Sequence, residues 1–293
     1  MNYRHAFHAG NFADVVKHAV LALLVERLKA KDNAFRVIDT HAGVGTYDLT
    51  ADEATRTGEW HQGIGRLWNQ PRPPALEPLL APYLAAVAAT NGAPEPTPLT
   101  RYPGSPRIAR HLFRRQDRLT AVELHPEDAA SLEREFAGDV QVRTIALDGW
   151  LALGAFVPPK ERRGLVLVDP PFEERGEFTT MLARFVEAYR KWPTGIYALW
   201  YPVKDLPAVD AFRVGLAQSG IRRLLRAELT VRTRDAAGTF NGTGLVICNP
   251  PWQFHEQLSA LLSGLAPLLA QDEGADFLTD EIAGEQDGGR NHS

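Results

Sequence analysis

Cysteine is nearly absent from this chain of 293 residues, since Cys248 is the only one. A single thiol excludes an internal disulfide framework and any zinc or iron–sulfur site built from several cysteines. No apolar run reaches the roughly 18 residues that a membrane helix needs, and the first twelve residues lack the apolar segment of a secretory signal. We therefore expect a cytoplasmic protein.

A strong charge of either sign is also missing from most of the chain. The formal net charge is −4, but residues 271–293 alone contain seven acidic side chains and one basic one. The residues before this segment therefore sum to +2, which neither favours nor excludes a polyanionic partner. The acidic segment is predicted to be a solvated, flexible tail.

The composition is that of a globular protein, with 44% hydrophobic and 23% charged residues. Strand-like and helix-like segments alternate along it, and apolar runs such as 165–168 are typical of strands covered on both faces by helices. A short connection between the last two strands predicts an antiparallel pair. We predict a doubly wound α/β fold with a sheet of seven mostly parallel strands. The candidate strands are 35–39, 119–124, 140–145, 165–169, 196–200, 224–231 and 245–249.

One stretch, residues 52–100, interrupts this alternation. It contains two helical segments and several prolines but no convincing strand. We predict that it is a small helical insertion between the first two strands of the sheet. The chain then divides into an α/β domain of residues 1–51 and 101–270, the insertion 52–100, and the acidic tail 271–293.

The candidate functional residues stand where strands end, because ligands of an open α/β sheet bind at the carboxyl ends of its strands. The turn His41-Ala42-Gly43-Val44-Gly45 follows the first strand and permits close approach of backbone to a ligand. It lacks the third glycine of the dinucleotide fingerprint, so an ordinary turn remains an alternative. Glu123 ends the second strand, where an acid can accept hydrogen bonds from ribose hydroxyls or be merely solvated. Asp148-Gly149 follows the third strand and could contact a base.

The most specific motif is Asp169-Pro170-Pro171-Phe172, directly after a buried strand. Two prolines fix a rigid, non-helical turn, which holds the Asp169 side chain and the Pro170 carbonyl as adjacent acceptors. An exocyclic amine has two N–H donors to offer, and Phe172 supplies a face on which its ring can stack. The motif therefore suits a flipped-out base with an amino group.

A second motif of the same shape, Asn249-Pro250-Pro251-Trp252, ends the last strand. In the usual doubly wound order the fourth strand lies beside the first, whereas the last lies two or more strands away from the glycine turn. We therefore favour Asp169 as the catalytic residue and interpret Asn249–Trp252 as a structural turn near the site.

These motifs, in this order, resemble the RlmJ family of bacterial 23S ribosomal RNA adenine-N6 methyltransferases. The resemblance covers the chain from Tyr3 to about Trp252. It rests on Tyr3-Arg4-His5-Ala6-Phe7-His8-Ala9-Gly10-Asn11, Asp14, Lys17-His18, Asp39–Gly43, Tyr102–Pro106, Glu123–Pro126, Asp169–Phe172, Tyr197–Pro202 and Asn249–Trp252. It implies a Rossmann-like class I S-adenosylmethionine-dependent methyltransferase fold. We expect the protein to act as a monomer and to need no metal.

The resemblance, together with the glycine turn, also assigns individual residues. Asp169 matches the catalytic acid/base position, with Pro170 and Phe172 beside the target amine. Tyr3 matches an RNA-contacting position, and Arg4 and Lys17 are assigned to the same substrate, although Lys17 could instead contact the cofactor or be solvated. The implied contacts to S-adenosylmethionine are His18, His41, Gly43, Ser105, Glu123, Asp148, Gly149 and Asp169.

Three other functions remain open on the sequence. A DNA adenine-N6 methyltransferase would use the same pocket on another nucleic acid. A protein glutamine or asparagine amide is also planar with two N–H groups and could replace the base. A non-catalytic RNA-binding assembly factor would keep the fold, but the intact Asp169 and Glu123 argue against it.

Overall fold

A computed structural model describes residues 5–92, 97–174, 176–234 and 240–283 of the chain. None of the helices in these ranges is long and apolar enough to span a membrane. The α-helices are α1 (Phe12–Lys29), α2 (Asp52–Thr57), α3 (Ile64–Asn69), α4 (Glu77–Asn91), α5 (Ser105–Leu112), α6 (Pro126–Glu135), α7 (Gly149–Ala155), α8 (Glu177–Lys191), α9 (Leu206–Gln218) and α10 (Phe254–Leu269). The strands are β1 (Arg36–Asp39), β2 (Thr46–Asp48), β3 (Arg101–Pro103), β4 (Arg118–Glu123), β5 (Val142–Ala146), β6 (Gly164–Val168), β7 (Ile196–Val203), β8 (Leu224–Thr230), β9 (Gly242–Cys248) and β10 (Asp276–Ala283).

Eight of these strands form one sheet in the order β10-β8-β9-β7-β6-β1-β4-β5. Strand β1 pairs in parallel with both β4 and β6, and β6 pairs in parallel with β7. Strand β9 runs antiparallel to both of its neighbours, β7 and β8, as the short connection predicted for the last pair. The doubly wound α/β fold is therefore confirmed, and the order of strands reverses at β1, where β4 lies on one side and β6 on the other.

Burial explains why the central elements form as they do. Every residue of β6 is buried, which agrees with its continuous apolar sequence. Helix α1 is also buried over most of its length because it packs against α4, α5 and α10 as well as β6, β7 and β9. The side chain of Asn11 caps α1 by accepting from the backbone N–H groups of Ala13 and Asp14. The interior position of α1 brings its polar residues into the site described below.

The insertion folds onto α1. Helix α4 buries Leu80, Tyr83 and Val87 in the same apolar cluster that contains α1. Strands β2 and β3 pair with each other just before and just after the insertion and so close its two ends. The insertion thus extends the core of the α/β domain on the side where α1 lies.

The sheet has one strand more than predicted, and the extra strand comes from the acidic segment. Strand β10 pairs antiparallel with β8 at the edge of the sheet, so the expectation of a flexible tail is wrong for Asp276–Ala283. Its acids do not prevent pairing because Arg226 of β8 binds Asp280 through two hydrogen bonds of 2.7 Å. Apolar residues between the acids, such as Phe277 and Ile282, pack against the core. The remainder of the predicted tail, residues 284–293, lies outside the described residues.

Candidate active site

A cavity of about 490 Å³ opens at the carboxyl ends of β1, β4, β5, β6 and β7. This volume lies in the range of small-molecule sites. Two of the residues assigned from the sequence, Tyr3 and Arg4, lie outside the described residues. The other assigned residues all line this cavity: Lys17, His18, His41, Gly43, Ser105, Glu123, Asp148, Gly149, Asp169, Pro170 and Phe172.

The glycine turn after β1 is locked to the end of β4. The backbone N–H of Gly43 donates to Glu123 Oε2 at 2.9 Å, and the N–H of His125 donates to Oε1 at 2.8 Å. Gly43 has a φ of +62°, which favours glycine, and a Cβ there would lie 2.1 Å from the hydroxyl of Tyr47, so a larger residue would require Tyr47 to move. Burial raises the pKa of Glu123, while the two backbone donors oppose that rise. The carboxylate is thus held in one orientation at the strand end where a ribose is bound in open α/β folds.

A second close approach joins the turn after β1 to the start of α7. A Cβ on Gly149 would lie 2.3 Å from the carbonyl oxygen of Thr40 and 2.6 Å from His41 Nε2, so glycine is required for the two segments to meet. Asp148 caps α7 by accepting from the N–H of Trp150 at 2.7 Å. Burial lowers the pKa of His41 to about 4, so its imidazole is neutral at physiological pH. The neutral His41 ring and Trp150, whose ring centroids lie 5.3 Å apart, form a partly aromatic wall of the cavity beside the Asp148 carboxylate.

Three polar residues of α1 are brought into the interior on the other side of the cavity. The Lys17 side chain is only 4% exposed, and its Nζ lies 2.5 Å from Asp169 Oδ2 and 2.8 Å from Asp14 Oδ1. Burial alone would lower the pKa of Lys17, but the two carboxylates outweigh it and the pKa lies above its usual range. The interpretation of Lys17 as a solvated residue is therefore wrong, because its charge is fully engaged inside the protein.

Asp14 holds the lysine from the side opposite Asp169. Its Oδ2 accepts from the backbone N–H of Gly10 at 2.8 Å and lies 2.9 Å from His5 Nε2. Although burial would raise the pKa of Asp14, His5 and Lys17 hold it well below its ordinary range. A buried carboxylate thus anchors both Lys17 and the start of the described chain beside the cavity.

The Asp169-Pro170-Pro171-Phe172 motif follows β6 at the centre of the cavity edge. Phe172 has a φ of +52°, a region that residues other than glycine seldom occupy. Its ring lies 5.8 Å from that of Trp200, measured between centroids, and 4.8 Å from that of Phe178. The acceptors of Asp169 and Pro170 and an aromatic surface therefore line the same cavity.

The second Pro-Pro motif lies at the other end of the strands, away from the carboxyl ends that surround the cavity. Because β9 runs antiparallel to β7, Cys248 pairs with Tyr197 at the start of β7 rather than at its carboxyl end. The side-chain N–H₂ of Asn249 donates to the carbonyls of Pro193 and Gly195, each at 2.8 Å. Asn249–Trp252 is a structural turn, as interpreted, but the expectation that it lies near the site is wrong.

Sequence reasoning missed several residues of the site. Trp200 lines the cavity, and Lys17 Nζ lies 5.6 Å from its ring centroid. Asp14 was part of the family motif but received no role, although a polar Asp14, Lys17 and His18 within an otherwise apolar helix was the available signal. Asp39 and Tyr102 were missed because they do not line the cavity themselves. They hydrogen-bond Ser105 and His18, and no sequence pattern reveals these contacts.

The geometry fits S-adenosylmethionine. Glu123 provides a fixed carboxylate at the ribose position, and Gly43 and Gly149 line the cavity where their lack of a side chain lets the turn after β1 pack closely against its neighbours. Together with the strand order, these features define a class I S-adenosylmethionine-dependent methyltransferase. A family model described as "Ribosomal RNA large subunit methyltransferase D, RlmJ" matches residues 32–279, and the chain belongs to this family.

Individual relatives agree with this membership. The chain is 42% identical over 265 residues to Ribosomal RNA large subunit methyltransferase J of Escherichia coli, which covers 90% of this chain and 92% of that protein. It is 40% identical over 286 residues to the protein of the same name from Haemophilus influenzae, covering 97% and 100%. A crystal structure of a Legionella pneumophila protein is similar at a TM-score of 0.83 and 31% identity, covering 94% of this chain and 98% of that one.

Asp39 provides a titratable group directly behind the cofactor site. It is 1% exposed and accepts a hydrogen bond of 2.6 Å from Ser105 Oγ. Ser105 is the first residue of α5, and Gly104 is the N-cap. The Ser105 hydroxyl therefore does not cap the helix, and it donates to Asp39 instead. Burial raises the pKa of Asp39 to about 7, and the nearby charge of Asp169 adds to this rise.

We expect the affinity for S-adenosylmethionine to increase as pH rises through 7. Below that pH Asp39 is protonated and neutral, whereas above it the carboxylate attracts a ligand that carries a net positive charge. The dissociation constant at pH 6 should be roughly tenfold higher than at pH 8, as measured by calorimetry. Asp39→Asn should bind weakly at both pH values and abolish the difference.

Other titrating groups can be separated from Asp39. His18 and His41, with pKa values near 3 and 4, stay neutral across this range. Burial also raises the pKa of Glu177, at the edge of the cavity, to about 7. Glu177→Gln is therefore the matched control, and a pH dependence that disappears in this variant but persists in Asp39→Asn would contradict the prediction.

Proposed function

We propose that this protein transfers the methyl group of S-adenosylmethionine to the N6 amine of an adenine in 23S ribosomal RNA. The observation that carries the proposal is the position of Asp169, Pro170 and Phe172, which line the same cavity as the cofactor residues. A base entering there meets two acceptors for its amino protons and an aromatic face for its ring. The family and its named relatives support a ribosomal RNA as the nucleic acid.

S-adenosylmethionine would be held by the residues around Glu123, Gly43 and His18, and it supplies an electrophilic methyl group. The protein's own contribution is to place the adenine amine and to polarise it. Lys17 donates to Asp169 Oδ2, and none of the described residues hydrogen-bonds Oδ1, which can accept one N–H of the amine. The Pro170 carbonyl accepts the second N–H. Both interactions strengthen as the nitrogen becomes tetrahedral, which favours the transition state over the ground state.

Asp169 also receives the proton that the amine must lose. A carboxylate is far too weak a base to deprotonate a neutral aromatic amine in advance. Proton transfer to Oδ1 therefore accompanies formation of the C–N bond. Correct alignment of the amine supplies much of the remaining acceleration, since positioning effects can reach about 7–11 kcal/mol.

The N-terminal segment is proposed to complete the RNA interface. His5 lines the cavity and contacts Asp14, and Tyr3 and Arg4 precede it directly in the chain. The proposed contact of Tyr3 and Arg4 with the RNA is supported by their direct connection to His5, because two residues of chain span at most about 7 Å. The proposal includes action as a monomer and in the cytoplasm, where ribosomal RNA is methylated.

The test is methyl transfer from labelled S-adenosylmethionine to 23S ribosomal RNA from a strain that lacks this gene. Wild-type ribosomal RNA, which already carries the modification, and duplex DNA serve as parallel substrates. We expect label as N6-methyladenine in the deficient RNA alone. Label in DNA would favour a DNA methyltransferase. Label in neither nucleic acid, despite cofactor binding, would contradict the proposal and direct attention to a protein amide.

A further inference from the structure

Three fully buried side chains form a hydrogen-bonded chain that leads from the helical insertion to the cavity. Tyr83 of α4 lies with its hydroxyl 3.0 Å from that of Tyr102 in β3, and Tyr102 lies 2.7 Å from Nδ1 of His18 in α1. Their exposed fractions are 0%, 0% and 1%. The rings of His18 and Tyr102 are also stacked, with centroids 5.6 Å apart. Of the three residues, only His18 lines the cavity.

The protons of this chain can be assigned by counting donors and acceptors. Among the described residues, Tyr83 has one hydrogen-bond partner for its hydroxyl, which is Tyr102. A buried O–H without an acceptor is costly, so Tyr83 donates to Tyr102. The hydroxyl proton of Tyr102 is then directed to His18 Nδ1, which accepts it. The reverse direction would leave the Tyr83 proton without a partner inside the core.

The assignment fixes the tautomer of His18. Burial lowers the pKa of His18 to about 3, so the neutral ring carries a single proton. Because Nδ1 accepts from Tyr102, that proton lies on Nε2. The carboxylate of Asp14, whose Oδ1 lies 4.0 Å from Nε2, favours an N–H on this side but is too far away to accept it fully. The Nε2–H group is therefore available to a ligand.

We propose that Tyr83 and Tyr102 are positioning residues that hold His18 as an Nε2–H donor for the carboxylate of the cofactor's amino-acid end. A neutral donor suits this role because Asp14 and Lys17 already occupy the nearby interior with paired charges. The inference gives the insertion a task in cofactor recognition, since Tyr83 belongs to α4. It rests on the proposed function through the methyl donor alone and not through the RNA substrate.

The direct test is the protonation state of the His18 ring in the cofactor-free protein. Nitrogen-15 NMR distinguishes a protonated ring nitrogen from an unprotonated one. We expect Nε2 of His18 to be protonated and Nδ1 unprotonated in the wild-type protein. A proton on Nδ1 would overturn the proposal, and this measurement needs neither a variant nor RNA.

The functional test compares S-adenosylmethionine with its decarboxylated form in calorimetric titrations. Tyr102→Phe removes the donor to Nδ1, and we expect its dissociation constant for S-adenosylmethionine to rise about tenfold, the loss of one hydrogen bond of ordinary strength. Its dissociation constant for decarboxylated S-adenosylmethionine should change little. Tyr83→Phe should show a smaller rise, because Tyr102 can still donate to His18.

Tyr197→Phe is the matched control, since it also removes one buried hydroxyl. The Tyr197 hydroxyl donates to the carbonyls of Ala188 and Trp192, and Tyr197 does not line the cavity. This variant should lose stability but keep the preference for the carboxylated ligand. Equal weakening of both ligands in Tyr102→Phe would overturn the proposal. If that variant does not fold, the NMR measurement still decides. Because no RNA is used, these outcomes are independent of the methyl-transfer assay.

Discussion

Replacing Asp169 with alanine is expected to lower the turnover number for methyl transfer by about 10²–10⁴-fold, the usual contribution of a general acid or base. The variant loses the acceptor for one N–H of the amine and the group that takes the proton. S-adenosylmethionine affinity should fall only modestly, because Glu123 and the glycine turn remain. Lys17 keeps Asp14 as a partner, so the fold should persist. Single-turnover methyl transfer and calorimetry on the same preparation separate these effects.

Asn249→Ala provides the control, since Asn249 has the same sequence setting before two prolines and an aromatic residue. Its amide binds the carbonyls of Pro193 and Gly195, so this variant should lose stability but keep its turnover number. Asp169→Asn should fall between wild type and alanine, because its amide oxygen still accepts but no longer carries a charge. An active Asp169→Ala beside an inactive Asn249→Ala would reverse the assignment of the catalytic residue.

The sequence predicted most of the fold because the central strands have little freedom. An apolar run such as Leu165–Val168 can be buried on both faces only between helices, and the order of the motifs then places the strand ends at one edge. The acidic segment was wrongly predicted to be flexible throughout, because its net charge does not show which of its residues are buried or paired. Phe277 and Ile282 bury part of it, and Arg226 neutralises Asp280 across the strands.

The residues that line the site could be predicted from the sequence, but the buried residues that hydrogen-bond them could not. Glu123 and Asp169 follow predicted strands, so their convergence is a consequence of the topology. His18 contacts Tyr102, which is 84 positions away in the chain, and Ser105 contacts Asp39, which is 66 positions away. Both contacts depend on how α1 and α5 pack. The position of Asn249 away from the site could have been predicted from the sequence. A last strand paired antiparallel to its neighbours ends at the edge opposite the site.

Lys17→Met is expected to be the most destabilising single change at the site, by about 3–5 kcal/mol in the free energy of unfolding. It removes the lysine from Asp14, which is 1% exposed, and leaves this buried carboxylate with His5, at 2.9 Å, as its charge partner. It should also lower turnover, because Asp169 loses the contact of 2.5 Å that orients its carboxylate. Denaturant unfolding and methyl transfer measured on the same samples give both effects.

Lys29 of the same helix is the matched control for this prediction. It pairs with Glu26 at 2.6 Å and at the same spacing of three residues, but both side chains are partly exposed. Lys29→Met should therefore change the free energy of unfolding by no more than about 1 kcal/mol. The double variant Asp14→Asn/Lys17→Met should recover part of the lost stability, since position 14 then holds no buried charge. Equal loss of unfolding free energy in the two lysine variants would contradict the prediction, because it would show that the buried ion pair of Lys17 stabilises the fold no more than an exposed one. The orienting role proposed for Lys17 would then lose its basis.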